Sequence, residues 1–267
     1  MPAATRVVKK ISTVCHVLGL TSVDDELFLL LWIVNDQVTV YSIDDYQLLR
    51  HLNVPGLQPH CYNDMTSCVR HRCVYMSDFH NSCIHTYHLA SSAIGKWSVA
   101  GNPCGLSVTP SCNLFVTCRE PNKLVELSAD SGQCVREIAL QSDIRNPCRS
   151  VQLTTGHFVV CHGVGYTDLH RLCVVGDDGK VTRSYGGQSG SDVGQLNCPC
   201  HISVDKDSQF IFVSDKFNHR VVLLRPTLEF VRCVSEGLSG PWRLYLHETT
   251  RRLFVGQQWG SLNVIQL

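Results

Sequence analysis

Cysteine and histidine are the residues in this sequence whose chemistry stands out. The chain of 267 residues contains fifteen cysteines and thirteen histidines. A zinc finger or ribbon would bring its cysteines together in C-x2-C pairs. The tightest spacing present is Cys198-Pro199-Cys200, and the run of Cys61, Cys68, Cys73 and Cys83 is looser still. The sequence therefore predicts neither a metal site nor a cofactor.

The cysteines also argue against a disulfide scaffold. Their number is odd, and the chain is long enough to bury a core without cross-links. The first ten residues carry Arg6, Lys9 and Lys10 but no apolar segment followed by small residues, which a secretory signal would require. We therefore expect free thiols in a cytoplasmic protein, with Cys118 and Cys161 packing as small apolar side chains.

Other patterns of catalytic or phosphate-binding sites are not recognisable. So many histidines and cysteines make chance pairs common, and no Ser/His/Asp order stands out. The glycine-rich segment 186–194 lacks the Lys-Ser/Thr of a P-loop, and no helical pattern follows it. The sequence thus predicts a protein that is not an enzyme.

A repeating unit must position whatever site exists. Proline recurs at intervals of 44, 44, 52 and 42 residues, at Pro59, Pro103, Pro147, Pro199 and Pro241. Each proline precedes short runs of β-branched and aromatic residues, separated by turn residues, which is typical of β-strands. A period near 44 residues is that of a propeller blade with four antiparallel strands.

Six such units predict an all-β fold, a six-bladed β-propeller of four-stranded antiparallel blades that forms one domain over residues 1–267. The predicted second strands are Leu27–Ile33, Cys73–Asp78, Asn113–Cys118, His157–His162, Phe210–Asp215 and Arg252–Gln257. The last unit ends after three strands, whereas Thr5–Ile11 precedes the first unit as an additional strand. Because an unpaired sheet edge invites aggregation, we expect Thr5–Ile11 to pair with the last blade and close the ring.

The fifth unit resembles an NHL repeat. Its sequence PCHISVDKDSQFIFVSDKFNHRVVLL places Pro199, Asp205, Asp215, Asn218 and Arg220 at the positions of that motif. The other units keep only parts of it. The resemblance implies a propeller similar to the C-terminal NHL domain of tripartite-motif proteins, which binds protein substrates or RNA. No Cys/His string in this chain has RING or B-box spacing, so the resemblance implies no ubiquitin-ligase activity.

The first strand of each unit would begin at one mouth of the central channel. The positions expected there are His16, Asp64, Gly105, Arg149, His201 and Arg243. Because Arg149, His201 and Arg243 belong to consecutive units, we expect them to lie together on one side of the mouth, with Asp64 on the other.

These three residues, with Trp242 and Tyr166 as aromatic anchors, form the predicted binding site. Arginine presents a planar set of donors to carboxylates and phosphates, and aromatic residues contribute much of the binding energy at interfaces. The alternative is that the arginines pair with carboxylates of neighbouring blades, such as Asp143 or Asp192, and only hold the blades together.

The net charge of the sequence limits the class of binding partner. The 23 basic residues equal the 23 acidic ones, which argues against binding to DNA or to a membrane surface. The sequence predicts a non-catalytic scaffold that presents one face to a protein or peptide partner, and RNA binding is the alternative. A third possibility is a metal-dependent hydrolase or lyase with His16, His201 and Asp64 in the channel, but one carboxylate beside two arginines suits a hard cation poorly.

Overall fold

Six antiparallel sheets make up the described part of the chain. The computed structural model describes residues 5–32, 36–163, 165 and 169–267, which contain 24 β-strands. Each sheet has four strands, ordered from the central channel outwards. The second strands of the blades are almost entirely buried, whereas the outermost strands are largely exposed in blades one, two, three and six and half-buried in blade five. This gradient follows from packing each sheet between two neighbours.

Blades one to three follow one another in sequence. Blade one comprises β2 (Val17–Val23), β3 (Glu26–Leu31), β4 (Gln37–Ser42) and β5 (Leu48–Asn53). Blade two comprises β6 (Met65–Cys68), β7 (Cys73–Asp78), β8 (Cys83–His88) and β9 (Ala93–Ser98). Blade three comprises β10 (Pro103–Val108), β11 (Leu114–Cys118), β12 (Lys123–Leu127) and β13 (Cys134–Ala139).

Blades four to six complete the ring. Blade four comprises β14 (Pro147–Gln152), β15 (Phe158–His162), β16 (His170–Val175) and β17 (Val181–Gly187). Blade five comprises β18 (Pro199–Val204), β19 (Ile211–Asp215), a turn of 3-10 helix at Lys216–Asn218, β20 (Arg220–Leu224) and β21 (Phe230–Ser235). Blade six comprises β22 (Pro241–His247), β23 (Arg252–Gln257), β24 (Ser261–Gln266) and, from the start of the chain, β1 (Arg6–Ser12).

The inner strands close a ring around the channel. Each of β2, β6, β10, β14, β18 and β22 packs against the next, and β22 packs against β2. Apolar clusters fill the space between blades, as where Phe115 stacks on Phe158 with ring centroids 4.6 Å apart. The predicted six-bladed fold and its closure by the N-terminal strand are confirmed.

Strand positions differ slightly from expectation in blade one. The second strand spans Glu26–Leu31, and Ile33, the predicted end, lies outside the described residues. The first strand begins at Val17, so His16 precedes it. The residue of β2 that takes the register position of Arg149 and His201 is Gly19, because all three pair with the penultimate residue of the second strand.

A β-bulge at the start of the inner strands positions the functional site. The pairing register shifts directly after Val17, Pro103, Pro147, Pro199 and Pro241. A bulge leaves one residue unpaired and redirects its side chain. In blades three to six the bulged residues are Cys104, Cys148, Cys200 and Trp242, and all four face one cavity at the channel mouth.

Fourteen of the cysteines, all except Cys148, are described as free thiols. Within the described ranges, no helix has the length and apolar character to cross a bilayer.

Candidate functional site at one mouth of the channel

A cavity of about 180 Å³ opens at the mouth where the inner strands begin and the second strands end. Its walls are formed by Cys61, Tyr62, Cys104, Arg119, Cys148, Cys198, Cys200, Lys216, Phe217, Trp242 and Arg243. The lining thus combines five thiols, three cationic side chains and three aromatic rings. No carboxylate is among these lining residues.

Two of the cations lie against aromatic rings. The guanidinium carbon of Arg119, the residue after β11, is 3.9 Å from the centre of the Tyr62 ring. Lys216 Nζ, after β19, is 4.1 Å from the centre of the Trp242 ring. Among the described residues neither side chain has a carboxylate partner. Cation–π contacts hold both positive charges in place without neutralising them.

Hydrogen-bond donors at the cavity also lack acceptors. Arg119 Nη1 and Trp242 Nε1 are buried and have no hydrogen-bond partner within the described ranges. A buried donor without a partner costs about 1–3 kcal/mol. Both residues line the cavity, so either donor would gain an acceptor if its side chain turned toward a bound molecule with oxygen atoms.

The NHL-like motif of blade five places Lys216. The buried Asp215 carboxylate accepts hydrogen bonds from Asn218 Nδ2 at 2.8 Å and from Arg220 Nε at 2.8 Å. It also accepts one from the backbone N–H of Asn197 at 2.6 Å. These bonds fix the turn between β19 and β20, so the motif positions a cavity cation instead of contacting a ligand itself.

Cys200 is the cavity thiol whose pKa is lowered. Burial acts to raise its pKa, but hydrogen bonds with Cys198 and Ser214 and the charges of Arg243 and Lys216 lower that pKa to about 7. Its Sγ lies 3.3 Å from Ser214 Oγ. A thiol with such a pKa is substantially ionised at neutral pH, and thiolate is the nucleophilic form.

A buried polar network closes the channel beneath the cavity. The Asp64 carboxylate accepts a hydrogen bond from Arg149 Nη1 and lies 3.3 Å from His201 Nε2 and 3.8 Å from Arg243 Nε. It also accepts a hydrogen bond from the backbone N–H of Leu106 at 2.9 Å. Asp64 and His201 are each 2 % exposed. Such a buried carboxylate is stable only because cations and donors surround it.

This network fixes the protonation of its members. Burial acts to raise the pKa of Asp64, but the charge of Arg149 and a hydrogen bond with His201 hold that pKa well below its ordinary value. Burial and the Arg149 charge lower the pKa of His201 to about 3. His201 is therefore neutral at physiological pH. Its Nδ1 accepts a hydrogen bond from the Leu244 N–H at 3.2 Å, and its Nε2 lies 2.9 Å from Arg149 Nη1 and 3.3 Å from Asp64 Oδ1.

Gly19 and Gly105 allow the inner strands of neighbouring blades to pack closely at the channel mouth. A Cβ on Gly105 would lie 2.3 Å from the Cys148 carbonyl oxygen and 2.5 Å from Arg149 Cα. A Cβ on Gly19 would lie 2.6 Å from Met65 Cβ. Both contacts are too short for a real Cβ, so only glycine allows neighbouring inner strands to approach this closely.

The five predicted site residues separate into three groups. Trp242 lines the cavity and Arg243 lies at its base, with its guanidinium bonded to the carbonyl oxygens of Leu18 and Asn63. Arg149 and His201 lie deeper, in the network around Asp64. Tyr166 lies outside the described residues.

Two expectations about these residues need correction. Asp64 does not lie across the mouth from Arg149, His201 and Arg243 but contacts all three, because arginine side chains are long enough to span the narrow channel. Arg149 pairs with Asp64, whereas Asp143, the expected alternative partner, pairs with Arg171.

His16, considered as a metal ligand with His201 and Asp64, does not join them. Its ring packs edge-on against Trp32 and Trp259, with centroid distances of 5.6 Å to each. The three residues therefore do not form the channel metal site that sequence reasoning considered.

The predicted site did not include Arg119, Lys216 or Cys200. The thiols carried a usable signal, because Pro-Cys recurs at the same register position in blades three, four and five. The two cations also share a position, because Arg119 and Lys216 each directly follow the second strand of their blade.

Comparison with known proteins shows the fold alone. No protein-family model matches the chain, and no curated protein matches it. The chain is similar to the solved structure of a catalytically inactive virginiamycin B lyase from Staphylococcus aureus with quinupristin, at 10 % identity and a TM-score of 0.69, covering 98 % of this chain and 99 % of that one. It is similar to a streptogramin B lyase at 10 % identity and a TM-score of 0.68, covering 98 % and 87 %.

The Cps50 (Swd1) β-propeller domain of Myceliophteria thermophila is also similar, at 11 % identity and a TM-score of 0.67, covering 98 % of this chain and 99 % of that one. Identities this low support the propeller architecture and do not identify a family. The NHL resemblance therefore rests on residues 199–224 and stays a prediction.

The prediction of a non-catalytic scaffold for a protein or peptide is wrong. Lyases are prominent among the solved structures that share this fold, so the fold gives no ground for excluding catalysis. In addition, Arg149 and His201, which were expected to face a partner, are held in the channel beneath the mouth.

Proposed function

We propose that the chain binds a small anionic molecule in the cavity at the channel mouth. The observation that carries this proposal is that the lining includes three cationic side chains and no carboxylate. Arg119 Nη1 and Trp242 Nε1 additionally need acceptors. An anion with several oxygen atoms satisfies both requirements.

The size of the cavity limits the ligand. About 180 Å³ accommodates an oxyanion or a small organic acid, whereas sites for drug-sized ligands are commonly about 300–1,000 Å³. The Tyr62, Phe217 and Trp242 rings favour a ligand with an apolar or aromatic part beside its anionic group. The net charge of zero does not reveal this cationic cavity. Carboxylates that contribute to that balance, such as Asp64 and Asp215, are already bonded to arginines.

A thiol-dependent reaction on the bound anion is a second candidate function. It is favoured by Cys200, whose lowered pKa and place in the cavity wall suit a nucleophile. The cations that would hold the substrate also stabilise the thiolate.

Calorimetric titration with phosphate, sulfate and benzoate tests the binding proposal. We expect saturable binding by at least one of these anions with a stoichiometry of one. The double variant Arg119→Gln, Lys216→Met should weaken binding about 100-fold, because each charge-assisted contact contributes about 1.5–3 kcal/mol.

Lys180→Met is the matched control, since its ammonium is far more exposed and lies 3.7 Å from Asp178 outside the cavity. This control should bind the anions as the parent chain does. Absence of saturable binding by all three anions, or equal binding by the double variant, would exclude the proposal.

A further inference from the structure

The hairpin of β7 and β8 brings three potential metal ligands onto one face of blade two. Asp78, the last residue of β7, pairs directly with Cys83, the first residue of β8. Side chains alternate along a strand, so His85 shares the face of Cys83. All three side chains are at most 1 % exposed.

The distances among these groups match the edges of a tetrahedral site. His85 Nε2 lies 3.3 Å from Asp78 Oδ2 and 3.7 Å from Cys83 Sγ. All three ligand atoms lie within 4.8 Å of one another. Tetrahedral zinc with bonds of about 2.0–2.1 Å to nitrogen and oxygen and about 2.3 Å to sulfur has edges of roughly 3.3–3.7 Å. The cluster therefore needs little movement to accept a metal.

Other blades show how unusual this arrangement is. In blade five the corresponding aspartate, Asp215, pairs with Arg220, which supplies the compensating charge. In blade four, Arg171 approaches His162 at 3.0 Å beside Cys173. Blade two has cysteine at the position of these arginines, and Lys96 reaches Cys83 from the exposed strand β9.

We propose that Asp78, Cys83 and His85 bind a divalent transition metal of the zinc class. Thiolate, imidazole and carboxylate are the usual zinc ligands, and structural zinc sites are closed to solvent as this one is. A fourth ligand is available from Asn81, whose side-chain amide lies 2.9 Å from Asp78 Oδ2 and would present its oxygen after a half-turn. Binding would release Lys96 from the thiol and cross-link the two middle strands of the blade.

The site lies apart from the channel-mouth cavity, because none of these four residues lines it. Sequence analysis did not predict it, because the spacing Asp-x4-Cys-x-His contains no C-x2-C pair. The proposal is thus independent of anion binding, and either could fail alone.

Titration of the metal-free protein with Co²⁺ tests the site. We expect one equivalent to bind, with thiolate-to-cobalt charge-transfer absorption in the near ultraviolet and tetrahedral d–d bands in the visible. Addition of Zn²⁺ should displace the cobalt and raise the melting temperature by about 5 °C or more. Cys83→Ser should lose the charge-transfer band, and His85→Gln should bind cobalt at least about tenfold more weakly.

Cys173→Ser is the matched control, because it removes a buried thiol at 3.5 Å from a histidine that has an arginine beside it. It should keep the complete cobalt spectrum. The melting temperature of each metal-free variant, compared with that of the metal-free parent, separates loss of the ligand from loss of the fold. Octahedral cobalt bands, no binding, or charge transfer that persists in folded Cys83→Ser would overturn the proposal.

Discussion

At the scale of single residues, Cys200 gives the most specific chemical prediction. Its thiol faces a cavity that also contains Lys216 and Arg243, and its pKa is lowered to about 7. We expect native alkylation of Cys200 to rise with a midpoint near pH 7. Because the cavity is cationic, it should attract the negatively charged iodoacetate more than neutral iodoacetamide. The ratio of the iodoacetate rate to the iodoacetamide rate should therefore be higher at Cys200 than at the exposed Cys134 by about fivefold or more.

Peptide mapping by mass spectrometry measures both rates. Cys161 is the internal control, because burial raises its pKa well above the ordinary value and it does not line the cavity. Lys216→Met should reduce the preference for iodoacetate at Cys200. If Cys200 reacts no faster than Cys161, the thiol is not available for chemistry.

His201 makes stability dependent on pH. Its pKa is about 3 in the folded chain against 6.5 for the unperturbed side chain, so between these values the unfolded chain binds a proton that the folded chain does not. Stability contributed by this residue is therefore fully present above about pH 6.5 and falls with decreasing pH by up to about 1.4 kcal/mol per unit. Asp64, whose folded pKa is also lowered, adds to the loss at lower pH.

Urea unfolding at about pH 7.5 and about pH 5 checks this expectation. Since glutamine does not titrate, His201→Gln should show a smaller loss of stability between the two values than the parent chain. An equal loss in both proteins would mean that folding leaves the pKa of His201 unshifted, which would contradict this expectation.

At the scale of elements, β1 is the strand whose role can be tested most simply. It pairs with β24 along its whole length, and its buried residue Ile11 packs against Leu262 and Val264. Deleting residues 1–12 should cost several kcal/mol, because it exposes the edge of blade six.

Point variants separate this effect from a general loss of the N-terminus. Ile11→Ala should cost about 2–4 kcal/mol, whereas Val8→Ala, at a position 46 % exposed, should cost less than about 0.5 kcal/mol. Melting curves suffice for all three proteins. A truncated chain that melts at the same temperature as the parent would show that the ring closes without β1.

Elements were also what the sequence predicted best. The proline period and the runs of β-branched residues located the six second strands to within two residues at the ends that the structure describes. Such patterns are readable because they reflect local strand pairing. The candidate site was harder to predict from the sequence. Arg119 and Lys216 belong to different blades and come to the same cavity only when the ring closes.

The position of Asp64 was also not predicted correctly from the sequence. Ring geometry placed it away from Arg149 and His201, yet its carboxylate contacts both. The order of the blades does not predict how far a side chain extends across the channel. It also does not predict that the lack of a Cβ at Gly19 and Gly105 lets neighbouring inner strands approach closely. Packing at the axis is a property of six strands together, so no single repeat encodes it.

At the scale of the whole molecule, the propeller gathers three unsatisfied cationic or donor groups from three separate blades at one mouth. Arg119 comes from blade three, Lys216 from blade five and Trp242 from blade six. Below them the Asp64 carboxylate pairs with Arg149 and Arg243, so Arg119 and Lys216 are the lining cations without a carboxylate partner among the described residues. An anion is expected to occupy this cavity.

A crystal structure of the protein grown with selenate is the decisive measurement, because anomalous scattering locates selenium without ambiguity. We expect a selenium peak inside the cavity, with oxygen atoms about 3 Å from the Arg119 guanidinium and from Lys216 Nζ. The peak should be absent from crystals of the Arg119→Gln, Lys216→Met variant. Selenate bound only at the outer surface, with water alone in the cavity of the parent protein, would contradict this expectation.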